Sequence, residues 1–274
     1  MIDTHVHFWH YNHDEFPWIG EDQAALRQNR LPGDLTALNA GRITGAIAVQ
    51  ARPMLSENDF LLQLAQANPI IKGVIGWFDF DAGIEPQLET AGGHAMIKGF
   101  RHLIQDEPQP SLYLTEHQGL QQGVQAIQQQ HYIYEVLAHQ ADLPAVIKFC
   151  ARHDKHWLVI DHLCKPAFSS PSAFDWWLLH MRKLAALPHV VVKISGLVTE
   201  AGPHATAADL QPYVDEVWAL FGPERLLWGS DWPVSSATHS YSSLLTYWKD
   251  NTSDRQQAEI HRVELATPVK IYQL

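Results

Sequence analysis

The stretch "IDTHVHFW", residues 2–9, reads as a buried strand carrying polar groups at alternate positions. Strand side chains alternate between faces with period two, so Asp3, His5 and His7 are expected on one face. An acid and two imidazoles stand there where a core wants Val and Leu. Seven more strand-like runs follow, at 43–50, 70–78, 97–104, 132–138, 157–162, 190–197 and 225–231. Segments with helical spacing separate most of them. "SENDFLLQLAQANP" (56–69) has Ser56 as N-cap, apolar Phe60, Leu61, Leu64 and Ala65, and a stop at Asn68–Pro69. "DLPAVIKFCARHD", "FDWWLLHMRKLAALP" and "DLQPYVDEVWALFGP" behave alike. Strands that alternate with helices are parallel and joined by crossovers, and eight such units close into a (β/α)8 barrel. A doubly wound open sheet is the competing α/β architecture. The lack of a Gly-rich phosphate turn after the first strand, and the spread of polar groups over many strand ends, favour the barrel.

A chain of 274 residues suits one barrel domain over 1–274. The stretch 10–42, with "EFPWIGEDQ", is long for one connection and is expected to form a lid over the barrel mouth. The formal net charge of −11, with no long basic run, argues against nucleic-acid binding. No apolar run approaches the ~18 residues of a membrane span, and Met1 leads into the strand without a basic, signal-like start. Two cysteines, Cys150 and Cys164, imply no disulfide framework. The expectation is a cytoplasmic protein, alone or as a homo-oligomer, acting on a small molecule. The 17 histidines and 10 tryptophans suit a pocket for a polar organic ligand.

In a barrel the working face is built from strand C-terminal ends and the loops after them. His5 and His7, on one face at such an end, could bind one divalent ion or polarise one carbonyl. "VIDHLCKP" sets His162 after an apolar run, with Asp161 placed to orient a neighbour. "LLWGSDWPV" ends another run at Asp231 between Trp228 and Trp232, where a carboxylate is costly unless it works or is paired. "IKGFRHLIQDE" adds Arg101 and His102; the guanidinium is a fork for a carboxylate or oxyanion, or else pairs with Asp106 or Glu107. Lys193, inside "VVVKISGL", lines the site or pairs with an inward acid. Gln50, Trp77, Asp79 and Tyr134 also stand at strand ends.

With these residues in hand, the chain resembles the amidohydrolase superfamily, in the branch of sugar-lactone hydrolases. The marks are "IDTHVHFW", "PWIG", "KGFRHLIQDE", "DHLCKP", "VKISGLVTEA" and "GSDWPV", in order over nearly the whole length. The resemblance implies a distorted (β/α)8 barrel that opens L-fucono-lactone or a similar aldonolactone. His5 and His7 match the first-strand pair, His162 the sixth-strand histidine, Asp231 the eighth-strand general base, and Arg101 with His102 the fourth-strand substrate group. Members of the branch hold one zinc or work without it, so a single divalent site at His5, His7 and Asp231 is expected, with its necessity open. The superfamily's metal-bridging carboxylate or lysine on the fourth strand is absent here, and His139 lies beyond the fifth strand's apolar core, which argues against a binuclear centre. Cys164 stands where relatives commonly have Gly, and Ala266–Thr267 replaces a frequent Asn–Ala pair.

The expected chemistry is ring opening by water. Asp231 takes the proton, His5, His7 and His162 polarise the carbonyl, and the proton returns to the leaving ring oxygen. Gln50, Arg101, His102, Trp77, Trp232 and Tyr134 are expected to bind substrate. A lactone leaves no need for a covalent intermediate, and neither a G-x-S-x-G elbow nor a cysteine signature is present. Two enzyme alternatives belong to the same superfamily. A decarboxylase would lean on a fifth-strand histidine, and a dicarboxylate-lactone hydrolase would want several arginines at the mouth. A non-catalytic sugar-binding barrel is the third alternative, against which the joint presence of His5, His7, His162 and Asp231 speaks.

Overall fold

Eight parallel strands form one sheet in sequence order: β1 (Ile2–Val6), β2 (Gly45–Val49), β3 (Ile71–Gly76), β4 (Ile97–His102), β5 (Ile133–Val136), β6 (Leu158–Ile160), β7 (Val190–Ile194) and β8 (Leu226–Trp228). The computed structural model describes residues 1–39 and 41–274. Helices α1 (Pro32–Asn39), α2 (Ser56–Ala67), α3 (Glu85–Gly92), α4 (Pro110–Glu116), α5 (Gln118–Gln129), α6 (Leu143–Arg152), α7 (Pro171–Ala185), α8 (Leu197–Ala201), α9 (Ala207–Phe221), α10 (Tyr241–Asn251), α11 (Gln257–His261) and α12 (Thr267–Tyr272) follow in chain order. The architecture is a (β/α)8 barrel, as the alternation of patterns requires. All eight expected strands are present, each one to four residues shorter at its ends than the apolar run that marked it. Helix α2 begins at Ser56 itself; Leu55 occupies the cap position and no side chain caps the helix.

The alternation of each strand sorts its apolar residues into two layers. Ile47, Val49, Ile75, Ile133, Val159, Val191 and Leu227 fill the barrel interior together with Ile271 and Tyr272 of α12, which plug its lower end. Ala46, Ala48, Val74, Tyr134, Val136, Leu158, Ile160, Val190 and Val192 face the helices. The seam between β8 and β1 is closed by the segment after β8: Val6 pairs in parallel with Trp232, the His7 amide donates to the Trp232 carbonyl at 2.8 Å, and the Asp231 amide donates to the His5 carbonyl at 2.9 Å.

A bulge in β1 changes how the opening stretch reads. Asp3 pairs with Ala46 but Val6 with Ala48, so β1 carries one residue more than β2 between those pairs. Asp3 therefore shares the outward face of Ala46, while His5 and His7 point inward. The Asp3 carboxylate accepts from the Ser230 amide (2.9 Å), the His5 amide (3.2 Å) and the Tyr241 hydroxyl of α10 (2.9 Å). It fastens the seam instead of orienting an imidazole.

Candidate active site

At the carboxyl end of the barrel, three imidazoles surround one carboxylate. Asp231 Oδ1 lies 3.4 Å from His7 Nε2, 3.8 Å from His5 Nε2 and 3.9 Å from His162 Nε2. His7 Nδ1 faces the Val49 carbonyl at 2.9 Å, which holds the ring proton there and leaves the Nε2 lone pair aimed at Asp231. His162 Nδ1 is engaged by Ser195 Oγ at 2.8 Å, so its Nε2 also faces the carboxylate. These separations exceed ordinary hydrogen bonds, which run to about 3.2 Å. Ligands about 2.1 Å from one ion in a tetrahedron stand about 3.4 Å apart, a spacing the His7–Asp231 pair has and the His5 and His162 pairs exceed. The compact donor set is His5, His162 and Asp231, whose ligand atoms lie within 4.8 Å of one another. Sequence reasoning put His7 in place of His162; the structure groups His162 with the set and leaves His7 beside Asp231.

The backbone works to hold this geometry. His162, Leu163, Cys164 and Lys165 form a run of left-handed residues, with φ of 52°, 53°, 60° and 46°, and Asp231 has φ of 57°. Each such residue other than glycine costs on the order of 1 kcal/mol, strain that a site retains when it fixes a side chain. Gly196 lets the His162 ring lie close, because a Cβ there would stand 2.6 Å from His162 Nδ1. A Cβ on Gly229 would stand 2.6 Å from His5 Cβ, so β8 and β1 approach only because that residue is glycine.

Below the imidazoles lies a buried charged box. Arg101 Nη1 donates to Asp161 Oδ2 at 3.0 Å and reaches His5 Nε2 at 3.2 Å, and its Nη2 donates to the Gln50 carbonyl at 2.6 Å. The ion pair expected with Asp106 or Glu107 is made with Asp161; it is His102 that takes Glu107, at 2.6 Å. Lys193 Nζ stands 2.6 Å from Glu135 Oε2, 3.3 Å from Asp161 Oδ1 and 3.2 Å from His5 Nδ1. His5, Glu135 and Asp161 together would fit a cation, and the tethered ammonium of Lys193 fills that position. Tyr272 completes the box by donating to Glu135 Oε1 at 2.8 Å.

Burial and these neighbours set the charges. Burial pushes the His5 imidazole well below its ordinary pKa, with Lys193 adding to the shift, and burial brings His162 down to about 4. Burial would raise Asp231, but His162, His7 and His5 override it and hold the carboxyl below the usual range. Asp161 is likewise held well below that range by Lys193, His5 and Arg101 against the effect of burial. Glu135 is pushed up to about 7 by burial, only partly offset by Lys193. The site thus presents ionised Asp231 beside the neutral rings of His5 and His162.

A cavity of about 250 Å³ opens above, lined among others by His7, Arg101, Gln105, His162, Thr199 and Asp231. Trp18 and Gln23, from the stretch 10–42, form part of its wall. That stretch packs its Phe16, Ile19 and Leu26 against Trp9 and Ala51, and its Glu15 pairs with Arg52. Several residues expected to bind substrate lie elsewhere. Tyr134 faces the helix layer against Phe80 and Phe149. Trp232 is buried edge-on to Phe8. Trp77 donates to His102 Nδ1 at 3.3 Å, and His102 stacks on Tyr113. Gln50 braces Arg101, donating to its carbonyl at 3.2 Å. Sequence reasoning passed over Glu135, whose place two residues after Ile133 on an inward face was the available signal, and over Gln105, Lys165, Ser195 and Thr199, which sit in loops or a short helix without a periodic pattern.

A parallel eight-stranded barrel with imidazoles, a carboxylate and a guanidinium gathered at its carboxyl end defines an enzyme of the (β/α)8 class. A family model described as Amidohydrolase matches residues 2–274, and the chain belongs to that family. Among curated relatives, L-fucono-1,5-lactonase of Burkholderia multivorans (strain ATCC 17616 / 249) is 41% identical over 266 residues, covering 91% of this chain and 88% of the relative. The protein of the same name from Burkholderia ambifaria is 32% identical, over 93% and 88%. A crystal structure of an amidohydrolase from Burkholderia multivorans with bound zinc superposes with a TM-score of 0.94 at 39% identity, covering 100% of this chain and 99% of that one.

Proposed function

We propose that the protein hydrolyses a sugar lactone, L-fucono-lactone or a similar aldonolactone, to the open-chain sugar acid. The observation that carries this reading is ionised Asp231 in the wall of a small cavity, beside Arg101 and three imidazoles. A cavity of about 250 Å³ is below the range for drug-sized ligands and fits a molecule of monosaccharide size. The names of the two Burkholderia relatives support the substrate class.

Asp231 takes a proton from water as the water oxygen attacks the ring carbonyl. Arg101 donates toward the carbonyl oxygen and stabilises the charge of the tetrahedral intermediate, with Asp161 and the Gln50 carbonyl keeping the guanidinium in place. The ring carbon–oxygen bond then breaks and Asp231 passes its proton to the departing oxygen, so the aspartate is regenerated. The leaving hydroxyl stays tethered and no covalent intermediate is needed. Burial pushes both cysteine thiols up, which leaves neither as a nucleophile. His5, His162 and Asp231, with His7 alongside, would hold one divalent ion such as zinc, which when bound supplies Lewis acidity at the carbonyl and acidifies water. The segment 10–42 acts as the lid, placing Trp18 and Gln23 over the substrate.

The test is a panel of aldono-1,4- and aldono-1,5-lactones followed with a pH indicator above the spontaneous rate, before and after chelation. At least one lactone is expected to open far faster than in buffer. A chelated enzyme whose rate zinc restores would assign the ion to the reaction, and an unchanged rate would leave carbonyl activation to Arg101 and the imidazoles. If no lactone opens faster than background, the proposal is wrong.

A further inference from the structure

Three polar atoms in residues lining the cavity are buried and have no partner within the protein: Gln105 Oε1, Thr199 Oγ1 and Arg101 Nε. Leaving such an atom unsatisfied costs about 1–3 kcal/mol, so folded proteins pair nearly all of them. Unpaired polar atoms that recur in the residues lining one cavity are what results when the missing partner is the ligand. The Arg101 guanidinium already has a role at the carbonyl. Gln105 and Thr199 have none. They come from opposite sides of the barrel, Gln105 from the turn Ile104–Asp106 after β4 and Thr199 from α8 after β7.

We infer that Gln105 and Thr199 are specificity residues that read ring hydroxyls of the substrate, an inference that rests on the lactone-hydrolase reading. The chemistry of the two atoms is selective. The amide oxygen of Gln105 can only accept, so it calls for an O–H; the Thr199 hydroxyl both donates and accepts. Leu103, Leu137 and Val234 in the same wall face carbon–hydrogen surface. A polyhydroxylated lactone offers both polar atoms a hydroxyl partner, whereas an unsubstituted lactone offers none. Sites built to pair with a hydroxyl reject analogues that lack it far better than apolar sites reject an added group.

The test compares Thr199→Val and Gln105→Met with the wild type, using kcat/KM on an aldono-1,5-lactone and on δ-valerolactone, the same ring without hydroxyls. The ratio of the two is expected to fall about three- to tenfold in each variant, the worth of one neutral hydrogen bond. Calorimetric binding of a hydroxylated δ-lactam against unsubstituted δ-valerolactam, neither of which the enzyme opens, should show the same drop. Thr199→Val should melt no lower than wild type, because it removes a hydroxyl that the fold leaves unpaired. An unchanged ratio in kinetics and binding, or a loss in Thr199→Val that comes with a lower melting temperature, would overturn the assignment while leaving the hydrolase reading intact. A wild type that opens δ-valerolactone but no hydroxylated lactone also overturns it. A wild type that opens neither lactone removes the hydrolase reading and the assignment together.

Discussion

His5 sits between two cations, with Arg101 at Nε2 and Lys193 at Nδ1, and its Nδ1 stands 3.5 Å from Asp161. Burial first, and Lys193 beside it, disfavour a positive charge on the ring. A histidine outside the site tests the same physics without touching catalysis. His153 faces Gln121 Oε1 at 2.8 Å, and burial, with Arg152 nearby, lowers its pKa to about 4 from an ordinary 6.5. A histidine with a lowered folded pKa adds stability that is fully present above pH 6.5 and is lost as pH falls toward 4, since only the unfolded chain takes the proton in that window. The stability of wild type relative to His153→Gln, from urea unfolding, should therefore shrink by about 2 kcal/mol between pH 7 and pH 4. A difference that does not vary with pH would contradict the burial account. At this scale the cluster at the barrel mouth was legible, because His5, His7, His162 and Asp231 are costly residues in apolar runs. Asp3 was misread, since alternation holds only where no bulge intervenes.

Strands β5 and β7 meet across the barrel through Glu135 and Lys193, both fully buried, and α12 joins them through Tyr272. Removing one partner of a buried ion pair strands the other charge, at a cost of about 3–5 kcal/mol. Lys193→Met should destabilise the protein by that order, and adding Glu135→Gln should return at least about 1 kcal/mol of it, because neutralising the stranded acid removes part of the penalty. Simply additive effects in urea unfolding would show that the two residues do not act as a pair. The strands themselves were readable from apolar runs bounded by turn residues, and the parallel order follows from the helices between them. The cross-barrel pairing was only half visible: a buried lysine demands an acid, but nothing local says which strand supplies it. Substrate residues were the weakest reading, because Tyr134, Trp77 and Trp232 mark strand ends as packing residues, whereas the cavity wall is drawn from Gln105 and Thr199 in connections that carry no period.

Across the whole molecule, the polar groups at the mouth come from β1, β4, β6, β7 and the segment after β8, brought together only by closure of the barrel. The stretch 10–42 adds Trp18 and Gln23 to the same cavity. Among the described residues no helix is long and apolar enough to cross a membrane. What the fold achieves is one ionised carboxylate, beside the neutral imidazoles of His5 and His162, at a cavity of monosaccharide size. The central claim is that this carboxylate moves the proton. The direct measurement is steady-state kinetics of Asp231→Asn on the best aldonolactone substrate, corrected for spontaneous opening. The account predicts a loss of about 10²–10⁴ in kcat with KM changed only a few-fold, the size of a general-base contribution. An Asp231→Asn enzyme that keeps the wild-type kcat would contradict it.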